Sequence, residues 1–585
     1  MAHSIAITGS GIICAIGVDK LSVADSLKKH LGGIGTMKYL QSVHKELPVG
    51  EVKRSNDQLK ESLGLCGEND VSRTSLLGAY ALRQAIIDAG LSVDYLNDKR
   101  VTFISGTTVG GMDVTEKHYH AMVNGDLTSL GYVKQHDCGS NSKEIVELLG
   151  LNCEVTTIST ACSSSLNAII LGTRMLLAGE TDYVLAGGTE ALSIFHLNGF
   201  NSLMILDQNQ CRPFDLTRKG LNLGEGAAYV VIERGDDLKR PVRIQAYIAG
   251  YGNRCDAFHQ TATSPNGEGA FLAMQDALSM SNVSPRDIDY INAHGTGTPD
   301  NDKSESTAIK RLFGDNYPFV SSTKSFTGHT TSASGSIETV ISLISMHESF
   351  IPSNLHFMNE DEECIIPCHS SDNNQSLHYV LCNSFGFGGN DSSLLLADRE
   401  IILKSIQLAE TKILTESTVA SVEELKELKE FVSPIESRRM GKLIKASLLT
   451  SLRCLKESQL ECPDAIIIAT KYGMLENGEK MLNSLDSNGE EGISPTQFMQ
   501  STHNTIAGTM AIRLQCHGYN ITYSQGDNSL DWAFKDAHKL LMEGKAKTVL
   551  VGIHDECPEK FRSFYEKLGV EVPQEIYSKS MLLTI

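Results

Sequence analysis

One cysteine and two histidines stand in surroundings that could make them reactive. Cys162 lies in Ser159-Thr160-Ala161-Cys162-Ser163-Ser164-Ser165-Leu166-Asn167, where a buried-strand pattern gives way to small residues and then to helical spacing. This places the thiol at a tight strand-to-helix turn. There a helix N-terminus would lower its pKa, and free N–H groups could face the oxyanion of an acyl group carried on sulfur. His294 in Asn292-Ala293-His294-Gly295-Thr296-Gly297-Thr298-Pro299 follows the strand-like stretch 288–291. His329 closes Ser322-Thr323-Lys324-Ser325-Phe326-Thr327-Gly328-His329 after Phe319–Ser321. Taken singly, a buried cysteine is more often packing, and a loop histidine more often a hydrogen-bonding residue. Taken together, a nucleophile and two imidazoles among glycines and hydroxyls suit covalent acyl chemistry. The turn Asn383-Ser384-Phe385-Gly386-Phe387-Gly388-Gly389-Asn390 supplies further backbone donors beside an aromatic.

The elements that must hold these residues read as alternating strands and helices. Apolar strands are predicted at Ser4–Ile13, Val101–Ser105, Val155–Ser159, Tyr183–Ala186 and Tyr229–Ile232, with amphipathic helices at Leu76–Ala89 and Leu166–Leu177. The pattern predicts an α/β fold with layered sheets. At 585 residues the chain suggests about two to four domains, and 41% hydrophobic with 21% charged residues suits a globular core. No apolar run approaches the roughly 18 residues of a membrane span, and the start Met1-Ala2-His3-Ser4 lacks a signal-peptide pattern. Fourteen scattered cysteines without a framework read as reduced thiols, so a cytoplasmic location is expected. The net charge of -20 argues against nucleic acid and anionic membranes, though an acidic protein partner could still meet a local basic patch. Cys364 and Cys368 lack a second pair, so no metal site is expected, and Gly106–Gly111 lacks the Lys-Ser/Thr ending of a phosphate loop.

A repeat underlies the chain. Ser72-Arg73 recurs at Ser437-Arg438, Met175–Gly187 at Leu540–Gly552, and Val101–Ser105 at Ile466–Thr470, all at an offset of 365 positions. Two domains follow, residues 1–400 and 401–585.

The four motifs, in this order, resemble the elongating β-ketoacyl-acyl-carrier-protein synthases of the thiolase superfamily. The resemblance runs from Ile5 to about Leu396, including Gly106–Gly111 with Val109, Cys211-Arg212-Pro213-Phe214-Asp215 and Gly224-Glu225-Gly226. It implies a thiolase-like αβαβα fold and a decarboxylative Claisen condensation of a malonyl thioester with an acyl group held on Cys162. It implies that His294 and His329 bind the malonyl carbonyl, that Lys324 and Glu338 form a supporting ion pair, and that Thr296 and Thr298 hold the pantetheine arm. Val109 would contact the acyl chain. Phe387 would gate the cysteine, and its N–H would share the oxyanion with that of Cys162. No cofactor is implied, because the substrates ride on the phosphopantetheine of an acyl carrier protein. Arg73 and Arg212 are the candidate docking cations. His136-Asp137-Cys138 departs from the Pro-Ser-Thr-like segment of the family and marks a subfamily.

The second copy cannot condense. Cys162 falls on Asp527, and a counterpart of His294 would need position 659, past Ile585. It resembles the truncated chain length factors that accompany some polyene-forming synthases. His503, in Gln500–Thr505, reads as non-catalytic for want of a cysteine partner. As a half-domain it should leave an apolar face to cover. It is therefore expected to dock as a pseudo-mate, within the chain or between two chains, with Gln500–Thr505 closing the far end of the acyl tunnel; in the alternative arrangement two synthase domains pair and the half-domains sit outside. Two other readings stand beside the main one: a non-catalytic carrier-binding scaffold, and a housekeeping fatty-acid synthase with an inherited appendage.

Overall fold

The computed structural model describes residues 2–65, 70–238, 240–369, 375–407, 410–571 and 575–585. Three five-stranded units share one strand order: third, second, fourth, fifth, first. The first holds β1 (Ala2–Cys14), β2 (Val101–Gly106), β3 (Glu154–Ile158), β4 (Tyr183–Glu190) and β5 (Gly226–Arg234). The second holds β6 (Ala246–Cys255), β7 (Tyr290–Asn292), β8 (Phe319–Ser321), β9 (Tyr379–Gly386) and β10 (Asn390–Ala397). A short β11 (Ile402–Lys404) adds to β1, and the third unit then holds β12 (Lys412–Val419), β13 (Ala465–Ala469), β14 (Tyr519–Tyr523), β15 (Val549–Glu556) and β16 (Ile576–Thr584).

In each unit the chain leaves its third strand and reaches a residue in the left-handed region: Ala161 at φ 52°, Thr331 at φ 46° and Gly526 at φ 59°. A short 3₁₀ turn follows, then a long helix: α1 (Ser164–Leu177), α2 (Ser334–Glu348), and in the third unit α4 (Ser529–Met542), preceded in the chain by α3 (Thr505–Leu514). For alanine and threonine this conformation costs about 1–2 kcal/mol and needs support from its surroundings. The serine run supplies it. Ser164 Oγ accepts from Thr160 N at 2.9 Å and donates to the Ala161 carbonyl at 2.6 Å. Ser529 makes the same two bonds, to Gln525 N and the Gly526 carbonyl, so the third unit keeps the turn without the thiol.

α1 and α2 lie back to back between the first two units, close enough that a Cβ on Gly335 would come within 2.7 Å of Leu166 Cβ. Helices Arg73–Asp88 and Glu268–Ser279 cover the outer faces, which completes the αβαβα layering.

The third unit joins the first edge to edge. β14 pairs antiparallel with β3, Tyr523 opposite Ile158. Ser159 N donates to the Thr522 carbonyl at 3.0 Å and Ser524 N to the Thr157 carbonyl at 2.9 Å, each bond the image of the other under the repeat. Buried ion pairs cross the same seam: Arg174 to Asp536 and Glu543, and Lys539 to Glu180. The largest apolar core is continuous across it, from Ile158 and Ile169 to Tyr523 and Trp532.

The apolar surface expected of a half-domain is covered in this seam, whereas the outer face of α4 is polar. Leu166 and Ile170, buried on α1, correspond to Asp531 and Lys535, exposed on α4. Among the described residues no helix is long and apolar enough to cross a membrane.

Candidate active site

Cys162 follows the elbow residue Ala161 directly, with β9 and its turn packed over it. A Cβ on Gly386 would lie 2.7 Å from the Thr160 carbonyl and 3.2 Å from Cys162 N, so only glycine lets the loop approach the nucleophile. The N–H groups of Phe387 and of Cys162 itself face the sulfur. His329, two residues before its own elbow, reaches back so that Nε2 lies 3.1 Å from Cys162 Sγ. Its ring stands edge-on to that of His294, with centroids 5.4 Å apart. The ligating atoms of Cys162, His294 and His329 all lie within 4.8 Å of one another.

The two imidazoles are held differently. Lys324 Nζ lies 3.3 Å from His294 Nδ1 and 2.6 Å from the His294 carbonyl, and pairs with buried Glu338. An ammonium has only donors, so Nδ1 must accept, and the ring proton sits on Nε2. Glu305, which the sequence reading missed, accepts from His294 N at 2.9 Å and Gly295 N at 2.7 Å and fixes the loop. His329 Nδ1 lies 3.0 Å from Ser334 Oγ, a hydroxyl that serves either tautomer. Burial, reinforced by the charge of Lys324, holds both histidines well below the ordinary imidazole pKa, so both are neutral imidazoles.

The expectation of a lowered thiol pKa is overturned. Burial pushes Cys162 up to about 11, against the pull of Lys324 and the N–H groups of Phe387 and Cys162. Desolvating a thiolate outweighs the helix terminus, so the resting site is a thiol beside a neutral imidazole.

A cavity of about 260 Å³ opens onto this centre, lined by Thr296, Thr298, Phe200, Phe387 and the three reactive residues. The hydroxyls of Thr296 and Thr298 lie 2.8 Å apart. Phe387 stacks on Phe200, which meets Phe498 of the third unit at 5.2 Å between centroids; Phe498 in turn meets Phe195. Val109 lines, with Phe195, a separate space of about 20 Å³ on the seam that Tyr472, Met474, Ser501 and His503 close from the other side.

Two further readings are corrected. Arg73 is buried: both carboxylate oxygens of Glu225 take its guanidinium, at 2.6 and 2.8 Å, and Asn56 and the carbonyls of Val52 and Arg54 take the rest. It cannot reach a partner. His503 does have a cysteine beside it: Cys138, its own counterpart 365 positions earlier, with Sγ 3.8 Å from Nε2. Burial raises that thiol well above its ordinary value, so the pair is not poised for attack. Arg212 is one-fifth exposed and bonded to Asp207 at 2.8 Å.

A sulfur on a left-handed elbow, two imidazoles and a Lys–Glu pair in layered αβαβα sheets define a condensing enzyme of the thiolase-like class. Residues 2–237 match the β-ketoacyl synthase N-terminal domain, residues 245–358 its C-terminal domain, and residues 415–584 a second model of the N-terminal domain. The chain belongs to the β-ketoacyl synthase family, whose members are acyltransferases. It is 33% identical over 407 residues to the 3-oxoacyl-[acyl-carrier-protein] synthase 2 of Staphylococcus aureus, covering 66% of this chain and 99% of that one. The synthase of the same name from Coxiella burnetii is 36% identical over 349 residues, or 56% of this chain and 83% of that one. Among solved structures, the ishigamide ketosynthase/chain length factor aligns over 68% of this chain and 100% of its own at TM-score 0.64 and 29% identity. The PfaC keto synthase-chain length factor shares the fold over 100% of this chain and 78% of its own, at TM-score 0.80 and 16% identity.

Proposed function

We propose that the chain extends an acyl group by two carbons in a ping-pong sequence, with residues 1–400 as the synthase and 401–585 as its built-in inactive mate. The thiol of Cys162 attacks the thioester of an acyl carrier protein. Its proton passes through His329 Nε2 to the departing pantetheine sulfur, leaving the acyl group on Cys162. With the acyl group in place His329 takes the tautomer in which Nδ1 accepts from Ser334 Oγ, and a malonyl thioester enters along Thr296 and Thr298 with its thioester oxygen between the Nε2–H groups of His294 and His329. Loss of carbon dioxide leaves an enolate that these donors stabilise. Its carbon attacks the acyl carbonyl, whose oxyanion is held by the N–H groups of Cys162 and Phe387, and collapse expels the Cys162 thiolate, which takes up a proton from water to restore the resting thiol, and leaves a 3-oxoacyl thioester. No cofactor takes part, because decarboxylation generates the carbanion.

The observation that carries this reading is the His294–Lys324 geometry: an ammonium on Nδ1 makes His294 a donor and not a base. Incubation with an acyl-carrier thioester and malonyl-carrier protein should yield a 3-oxoacyl-carrier product, with the acyl label on Cys162 beforehand. Absence of both would refute it. Arg212, beside the pantetheine mouth, remains the candidate docking cation, and its charge reversal should raise the KM for the carrier in a salt-sensitive manner. The space around Val109 is the proposed far end of the acyl tunnel, with Ser501 and His503 as its wall.

A further inference from the structure

The turn that carries Phe387 is built so that a single peptide unit decides its shape. Gly389 N donates to the Gly386 carbonyl at 3.1 Å, and Gly388 sits at φ 84°, which makes residues 386–389 a type II turn. Type I and type II turns differ by rotation of the central peptide, here Phe387–Gly388, and a glycine in the third place tolerates either. That rotation turns the Phe387 carbonyl and the Gly388 N–H, whereas the ring and the N–H that faces Cys162 precede the rotating bond and keep their place only while the turn as a whole is held against Cys162.

Both ends of this peptide are tied to the third unit. Asn504 Nδ2 donates to the Phe387 carbonyl at 2.7 Å. On the other side Gly388 N donates to the Gln260 carbonyl at 2.7 Å, and the side chain of Gln260 donates in turn to Thr509 Oγ1 at 2.9 Å. The backbone of α3 backs the same loop, since a Cβ on Gly508 would fall 2.9 Å from Gly388 Cα.

Asn504 accepts a local cost to do this. It is the N-cap residue of α3, where an asparagine side chain ordinarily bonds the helix's own N–H groups and contributes about 1 kcal/mol. Here it makes no capping bond, and its Oδ1, buried, has no partner among the described residues. Local stability alone would have turned the side chain the other way.

We infer that Asn504 is a positioning residue of the active site: the half that has lost its own nucleophile holds the Phe387 carbonyl and so keeps the turn, and the Phe387 N–H it carries, packed against Cys162. The inference rests on Cys162 as the proposed acyl carrier, but its primary test does not require turnover.

Asn504→Asp keeps the size, removes the donor, sets a carboxylate against the Phe387 carbonyl and restores a good helix cap. Asn504→Leu removes the donor alone. In the full-length protein, alkylation of Cys162 by iodoacetamide, followed by mass analysis of its peptide, should slow at least tenfold in both variants. The kcat for condensation should fall by between tenfold and the ~100-fold that an oxyanion donor is worth, with KM for the malonyl substrate unchanged. The melting temperature of Asn504→Asp should match or exceed wild type. Tyr519→Phe, which removes the acceptor of a seam bond from Arg174 at 3.2 Å, away from the loop, is the control and should leave the alkylation rate unchanged. Wild-type alkylation rates in Asn504→Asp would overturn the inference, as would an equal slowing in Tyr519→Phe, which would reduce Asn504 to one seam contact among others. Loss of condensation in wild type with the alkylation contrast intact would instead count against the proposed reaction.

Discussion

Ile158 and Tyr523 face each other across the antiparallel junction of β3 and β14, and each is the other's counterpart in the repeat. A residue can pair with its own image only where a two-fold axis passes between the strands. The chain therefore carries a pseudo-symmetric dimer axis within itself, four residues upstream of the nucleophile, and the asymmetry that decides the chemistry falls where Cys162 meets Asp527.

Removing residues after 400 should expose the β3 edge and leave the Arg174 guanidinium facing none of its seam partners Asp536, Glu543 and Tyr519. The truncated chain is expected to self-associate through β3 or precipitate, and to lose control of product length if it remains active. Size-exclusion chromatography with light scattering and product analysis check this; an unchanged oligomeric state with unchanged products would make the third unit peripheral.

Cys162→Ala should abolish transfer of a labelled acyl group from carrier protein to enzyme. Among the described residues the other cysteines offer no substitute: Cys138, with Sγ 3.8 Å from His503 Nε2, is buried and does not line the cavity around Cys162. Peptide mapping that placed label on another residue would move the nucleophile elsewhere.

His294→Ala and His329→Ala should suppress release of carbon dioxide from the malonyl thioester about 100-fold each, as expected for loss of one oxyanion donor, while acylation of Cys162 persists in His294→Ala. Lys324→Met should have the same effect on decarboxylation by freeing the His294 tautomer. It should also destabilise the fold by about 3–5 kcal/mol through the orphaned Glu338, measured by urea denaturation. Normal decarboxylation in Lys324→Met would remove the argument from tautomers.

Burial holds His503 down at about 4, below its unfolded value of about 6.5. Its neutral form is therefore fully compatible with folding above pH 6.5. Its contribution shrinks as the pH falls from 6.5 toward 4, because the unfolded chain binds the proton first. Between pH 7 and pH 5 the stability of His503→Leu should gain about 2 kcal/mol relative to wild type. Urea melts at the two pH values decide it, and a pH-independent difference would place His503 in solvent contact.

What the sequence made legible was local or periodic. Cys162, His294, His329, Lys324 and Phe387 each lie in a short motif after a strand, and the repeat exposes the loss of the thiol at Asp527 without reference to coordinates. What it hid was the result of distant segments meeting. The burial of Arg73 depends on Glu225, 152 positions away, and nothing in Ser72-Arg73 announces that partner. The thiol pKa was misjudged because a helix terminus is a local property whereas desolvation is not. Cys138 and His503 escaped as a pair, and Asn504 as a neighbour of Phe387, because only the seam brings them together.

The connection from Lys404 at the end of β11 to Lys412 at the start of β12 is short, and it turns association into an intramolecular event. A two-chain enzyme gives up activity on dilution as its subunits separate. Here the mate is always present, so specific activity should be constant down to nanomolar enzyme. The mate also cannot be exchanged, since no free copy can displace a tethered one at comparable concentration. On the proposed reading each molecule pairs its nucleophile with one fixed tunnel wall, and a change in that wall would be inherited together with the residues it serves.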